Sequence, residues 1–191
     1  MVGFAELPLA EVVQRVASVD PTPGAGPSLA WTCALAAGLV EMVSAVSLRK
    51  QPQDPNAIEE RRDRAAGLRE VALSLADTDA AAYRIVLAAQ RRRREPGHAQ
   101  RLRDALLAAA DPLVAIVEAA GEVTGLACGR RRPRGRARRS HNRGGPRRSV
   151  VHAGVPLVEL NLAGARDDPR LARVRQLRDE AGSDRERALT A

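Results

Sequence analysis

A chain of 191 residues is long enough to bury one core, and a single domain spanning 1–191 is expected. Ala, Leu, Val, Arg and Glu dominate while Trp, Tyr and Phe occur once each, which argues against a sheet protein and for an all-α bundle packed through small side chains. The net charge of +8 is concentrated: ten Arg and no Asp or Glu lie between Gly129 and Ser149, and without those ten charges the balance becomes −2, which excludes an evenly basic nucleic-acid-binding surface.

In chain order, residues 6–19 place Leu9, Val12, Val13 and Val16 at helical spacing, with Pro8 tolerated in a first turn. The Asp20-Pro21 step ends that helix. Residues 20–28 follow as a loop: Pro21 and Pro23 lack amide donors, and Gly24 and Gly26 open backbone angles closed to other residues. From Leu29 to Val46 the chain is almost wholly apolar or small and predicts one long buried central helix. Its length approaches a membrane span, but Glu41 interrupts it and no second run accompanies it, so burial in a protein core is the better reading. No basic and apolar leader opens the chain, and a cytoplasmic location is expected.

After a polar loop over 49–56, a long helix is predicted to about Arg92, with Ala65, Leu68, Val71, Ala72, Leu75, Ala76, Ala80, Tyr83 and Val86 on one stripe. Glu95-Pro96-Gly97 marks a turn, and 98–127 reads as helical material, broken or kinked near Asp111-Pro112. Residues 129–149, rich in Arg, Gly and Pro without apolar periodicity, are expected to be disordered. Helical pattern returns over 150–165 and again from about Pro169 to Leu189. The expectation is therefore a bundle of about five to seven helices.

A glycine-punctuated turn feeding a buried helix leaves N–H groups at the helix start without intrachain partners, an environment that attracts an anion or an oxygen-rich ligand. Thr22, Gly24, Gly26 and Ser28 are the candidate ligand-loop residues; turn formation and helix capping by Ser28 are the plain alternative. Asp79 lies on an otherwise apolar helix face, where a buried carboxyl with a raised pKa can act as general acid or base. An ion pair to Arg84 is its alternative. Tyr83, one turn later, shares that face. Glu41 needs a partner, in the core or at a dimer interface. Cys33 and Cys128 supply neither a disulfide framework nor a metal spacing. His98, His141 and His152 lack companions for a metal site or a triad. No metal is expected.

PTPGAGPSLAWTCALAAGLVEMV resembles the PTPGGGS loop and following Ala-rich helix of the cyclodeaminase/cyclohydrolase family, which includes the cyclodeaminase domain of formiminotransferase-cyclodeaminase and stand-alone methenyltetrahydrofolate cyclohydrolases. LADTDAAAYRIVLAA is similar to that family's Asp-Ala-x-Ala-Tyr/Phe stretch, and VELNLAG to its late Asn-containing helix. The likeness covers roughly residues 5–127 and 155–189. It implies an all-α homodimer acting on a tetrahydrofolate derivative as substrate. The implied reaction is ring closure with loss of ammonia from formiminotetrahydrofolate, or hydrolytic opening of a methenyl bridge. Read from the residues themselves, Asp79 is the candidate catalytic group, Tyr83 lines a pteridine pocket or simply packs, and Asn161 is a candidate for hydrogen bonding to the ligand.

The chain departs from that pattern in three places. Ala25 stands at a glycine and Pro27 at a serine, and the Arg-rich stretch replaces a segment near GNPxAxSDAG. Two other readings stay open: a non-catalytic helical dimer or inactive paralogue, and nucleic-acid binding through residues 129–149, which carry no interleaved aromatics for stacking. On the leading reading neither a membrane nor a nucleic acid is a partner.

Overall fold

The structure, a computed structural model, describes Gly3, residues 6–128 and residues 146–189, with side chains of 146–149 and 184–189 excepted. Six helices form among these residues: α1 (Leu9–Val16), α2 (Ala25–Leu48), α3 (Pro55–Arg91), α4 (His98–Ala127), α5 (Pro146–Asn161) and α6 (Pro169–Leu189). No strand occurs among them, and the all-α architecture follows. Residues 129–145 of the expected disordered segment lie outside the described residues, whereas Pro146 to Ser149 open α5, four residues before the predicted start.

Cross-helix contacts fix the topology. Gly26 meets Asp79 while Glu41 pairs with Arg69, so α2 and α3 run antiparallel. Arg64 pairs with Glu122, and Val86 packs with Ala105, so α4 returns along α3. α5 turns back again, and Gly154 lets it approach closely: a Cβ there would sit 2.5 Å from Val117 Cγ2. Leu107 and Glu118 of α4 meet Arg170 and Arg173 of α6 in the same order, so α6 runs parallel to α4.

The core follows the predicted stripe of α3 except at Val71 and Tyr83, which are exposed. Ala30, Cys33, Ala34, Ala37 and Val40 of α2 pack with Ala65, Leu68, Ala72 and Ala76 of α3 and Ile116, Val117, Ala120 and Val123 of α4. Alanine at most of these positions removes side-chain bulk and lets the helix axes draw together. The Cys33 thiol belongs to this core, and burial pushes it up to about 12, far from a reactive thiolate.

Local chemistry sets the helix ends. Asp54 caps α3 by accepting from the Ala57 amide at 3.1 Å, with Pro55 in the first turn. Gly97, at φ 73, makes the left-handed step before α4.

Three expectations change. α1 has 8 residues and is shorter at both ends than the predicted 6–19, and of its apolar stripe only Val12 is buried. α2 begins at Ala25 rather than Leu29, because a proline in a first turn loses only an amide that has no helical acceptor. α4 is not broken at Pro112. The ring removes the amide that would donate to Ala108 O four residues earlier, and Ala108 is exposed, so water can satisfy that carbonyl; Arg170 donates from α6 to the neighbouring Leu107 O at 3.0 Å.

Candidate functional site

The start of α2, the middle of α3 and the end of α5 converge on one cavity of about 220 Å³. The loop supplies Pro21 and Thr22, and the first turn of α2 supplies Gly24 through Pro27. Asp79, Ala80 and Tyr83 come from α3, Ala109 and Leu113 from α4, and Leu157, Leu160 and Asn161 from α5. The Thr22–Pro23 peptide within the loop is cis.

The Asp79 carboxyl is the chemical centre of this arrangement. It is 8% exposed, and no hydrogen-bond donor reaches it from the described residues. Desolvation by burial raises it from 3.8 to about 6. It rests against the backbone of Gly26, so close that a Cβ there would lie 2.6 Å from Asp79 Oδ1 and nearer still to Cγ and Oδ2. Glycine at position 26 is therefore a steric requirement of the carboxyl's placement. In the same turn the amides of Ala25 and Gly26 precede the first intrahelical bond, which the Ser28 amide makes to Gly24 O at 3.3 Å. The cavity thus joins a buried carboxyl to the positive end of a 24-residue helix.

The structure brings Thr22, Gly24, Gly26, Asp79, Tyr83 and Asn161 together on the cavity wall. It does not bring Ser28 there. The Ser28 hydroxyl donates back to Gly24 O at 2.8 Å, and the residue capping α2 is Gly24, which offers no side chain. Asp79 and Arg84 do not pair; Arg84 Nε instead donates to Ala80 O at 3.0 Å. Glu41 finds its partner within the chain, accepting from Arg69 Nε at 2.7 Å between α2 and α3. Tyr83 stays partly open to solvent, as does Leu160, and the two frame the mouth.

Sequence reasoning did not reach the apolar wall formed by Ala80, Ala109, Leu113, Leu157 and Leu160. Nothing distinguishes these residues in the sequence from core residues of the same helices. Pro27, a departure from the resembled loop, lies buried on the wall in the first turn of α2, where it leaves the helix intact. No group of three or more His, Cys, Asp or Glu able to hold a metal occurs among the described residues.

Comparison with known proteins gives this arrangement a lineage. A family model, Formiminotransferase-cyclodeaminase, matches residues 8–132, so the chain belongs to that family. The match ends as the Arg-rich stretch begins. Among solved structures, formiminotetrahydrofolate cyclodeaminase from Thermotoga maritima superposes with a TM-score of 0.67 at 20% identity, covering 96% of this chain and 92% of that one. At that identity the likeness establishes the shared fold. Among curated proteins nothing matches.

Proposed function

We infer that this protein acts on a one-carbon adduct of tetrahydrofolate, as a cyclodeaminase or as a methenyltetrahydrofolate cyclohydrolase, with Asp79 moving the proton. The supporting observation is Asp79 itself: a buried carboxyl without a hydrogen-bond donor among the described residues, facing a cavity beside the start of α2. Family membership supplies the substrate class. The cavity volume of about 220 Å³ falls below the roughly 300–1,000 Å³ of sites that enclose a drug-sized ligand, so it takes the ring system and leaves the rest of the folate beyond Tyr83 and Leu160.

The two reactions ask opposite things of the carboxyl. Opening a methenyl bridge needs a base to take a proton from the attacking water. Ring closure of a formimino adduct needs an acid to protonate the departing ammonia. A group with a pKa of about 6 is available in both forms near neutrality. A homodimer in a cytoplasmic setting accompanies this reading.

The deciding experiment is turnover followed by absorbance with methenyltetrahydrofolate, and by ammonia release with formiminotetrahydrofolate, for the wild type and Asp79→Asn. Turnover of either substrate that falls about 10²-fold or more in the variant supports the reading. No rate above buffer on both substrates leaves the non-catalytic paralogue as the better account. Nucleic-acid binding through the Arg-rich segment rests largely on residues outside those described.

A further inference from the structure

The turn joining α3 to α4 carries the densest uncompensated positive charge among the described residues. Six arginines and one acidic residue, Glu95, lie between Arg91 and Arg103. The balance of −2 outside residues 129–149 hides this cluster, because acidic residues elsewhere cancel it in the sum.

Geometry sets the turn apart. α2 begins level with Asp79, where Gly26 meets the carboxyl, but α3 runs on to Arg91, about 18 Å further at about 1.5 Å per residue. α4 returns from His98 along the same stretch. Val86, Ala105 and Ala109, with Leu102 and Leu106, form a small core of their own between the two helices. The arginines therefore stand at the tip of a helical hairpin that extends past the start of α2.

Most of this charge is uncommitted. Arg91 to Arg94, Arg101 and Arg103 are all exposed. Glu95 accepts from Arg101 Nη2 at 3.3 Å and lies 3.9 Å from Arg92 Nε, while Asp104, the next carboxylate, accepts from Gln100 at 2.8 Å. Arg91, Arg93, Arg94 and Arg103 have no hydrogen-bond or ion-pair partner among the described residues. The start of α4 adds to the same field. The Arg101 amide makes the first intrahelical bond, to Gly97 O at 3.1 Å, and leaves the Ala99 and Gln100 amides before it free.

We propose that this tip is a docking surface for the phosphate backbone of double-stranded nucleic acid. Guanidinium groups meet phosphate through paired N–H donors and stay charged at physiological pH. Consecutive arginines at the end of α3 fan out around its axis by about 100° each, so anionic groups on more than one side are needed to engage them together. The two phosphate rows bordering a groove about 12 Å wide present charge in that way. A partner protein asks for aromatic or large apolar anchors at the centre of the contact, and residues 91–103 expose none. Single strands ask for rings to stack on, and a lipid surface for apolar side chains to enter it; the tip offers neither. No tip residue lines the cavity, so the proposal stands apart from the chemistry of Asp79.

Fluorescence anisotropy of the full chain with a labelled DNA duplex of about 20 base pairs, titrated between about 50 and 200 mM NaCl, tests it. The wild type is expected to bind, with the logarithm of its affinity falling linearly against the logarithm of salt. Arg91→Gln, Arg93→Gln, Arg94→Gln and Arg103→Gln together are expected to weaken binding at least about tenfold and to cut that slope by about three to four, since each phosphate contact contributes about 0.9. Helical circular dichroism checks that this variant folds. Should it fail, Arg93→Glu and Arg94→Glu, made singly in the turn between the helices, should each weaken binding at least about threefold. No binding by the wild type overturns the proposal, and so does a tip variant that binds as the wild type does. The arginines of 129–149 are the competing source of affinity. A salt slope lowered only by Arg130→Gln, Arg131→Gln, Arg132→Gln and Arg134→Gln together assigns binding to them and overturns the proposal as well. Tighter association with phosphatidylglycerol vesicles overturns it in favour of a lipid surface. Displacement of the duplex by poly-L-glutamate as readily as by unlabelled duplex overturns it in favour of an acidic protein.

Discussion

Single residues at the cavity carry opposing demands of stability and chemistry. The Asp79 carboxyl titrates near 6 in the folded chain and near 3.8 when unfolded, so folding favours its protonated form. The sign follows: the stability tied to this group is intact below pH 3.8, declines as pH rises, and is lost above about 6. Asp79→Asn removes the charge, and we expect it to unfold at higher temperature than the wild type at pH 7 by an amount worth on the order of 2–3 kcal/mol. Calorimetric scans should show that gap shrinking toward pH 4. The same group sets the pH profile of activity: kcat/KM rising to a plateau through about pH 6 marks the base of a cyclohydrolase, and a decline through that value marks the acid of a cyclodeaminase. Gly26→Ala places a methyl group in the space of the carboxyl. Activity is expected to fall at least tenfold with little change in helix content, because Asp79 must swing away from the α2 start. Ser44, 2% exposed with Oγ unpartnered, makes the reverse case, and Ser44→Ala is expected to raise stability by about 1 kcal/mol in urea titration.

At the scale of helices, the join between α4 and α6 depends on one arginine. Arg170 of α6 donates to Leu107 O of α4, one turn before Pro112. The same guanidinium holds both carboxyl oxygens of Asp168 and reaches Asp111. These bonds, with the Arg170 backbone amide, hold the Asp168 carboxyl down at about 2. Arg170→Ala removes the interhelix bonds to Leu107 O and Asp111, and we expect a loss of about 1–2 kcal/mol, read as a Tm lowered by roughly 3–6 °C. Proline at 112 made a break in this helix a reasonable sequence expectation. The carbonyl that Pro112 leaves without its helical donor belongs to Ala108, which faces solvent, and the packing of the bundle rather than the local sequence decides that exposure.

For the whole molecule, the homodimer that accompanies the proposed function would couple folding to association, and Leu35, Leu39, Met42, Val43 and Val46, exposed along α2, are its candidate contact. If two chains share the outer face of α2, mass action makes the unfolding temperature rise with protein concentration. Wild type is expected to show that rise across a hundredfold dilution series, and Leu39→Glu to show none; differential scanning fluorimetry suffices for the comparison. Trp31 sits one turn before Leu35, close to the same face, and is the sole tryptophan, so its emission offers an independent reading of the same equilibrium.

Hydrophobic period, proline placement and glycine punctuation by themselves determined the helical class, the long α2 and α3, and the importance of the turn before α2, because these signals act over a few residues at a time. They also singled out Asp79, since a carboxylate on an apolar helix face must be explained by some partner or some function. Tertiary structure alone decided the rest. It moved the start of α2 back to Ala25, turned the Ser28 hydroxyl onto Gly24 instead of into the cavity, and assembled the apolar wall from alanines and leucines of three helices. It also left one face of α2 uncovered. Such outcomes depend on which surfaces meet across the bundle, and an apolar residue reads the same in the sequence whether it faces its own core, a ligand or a second molecule.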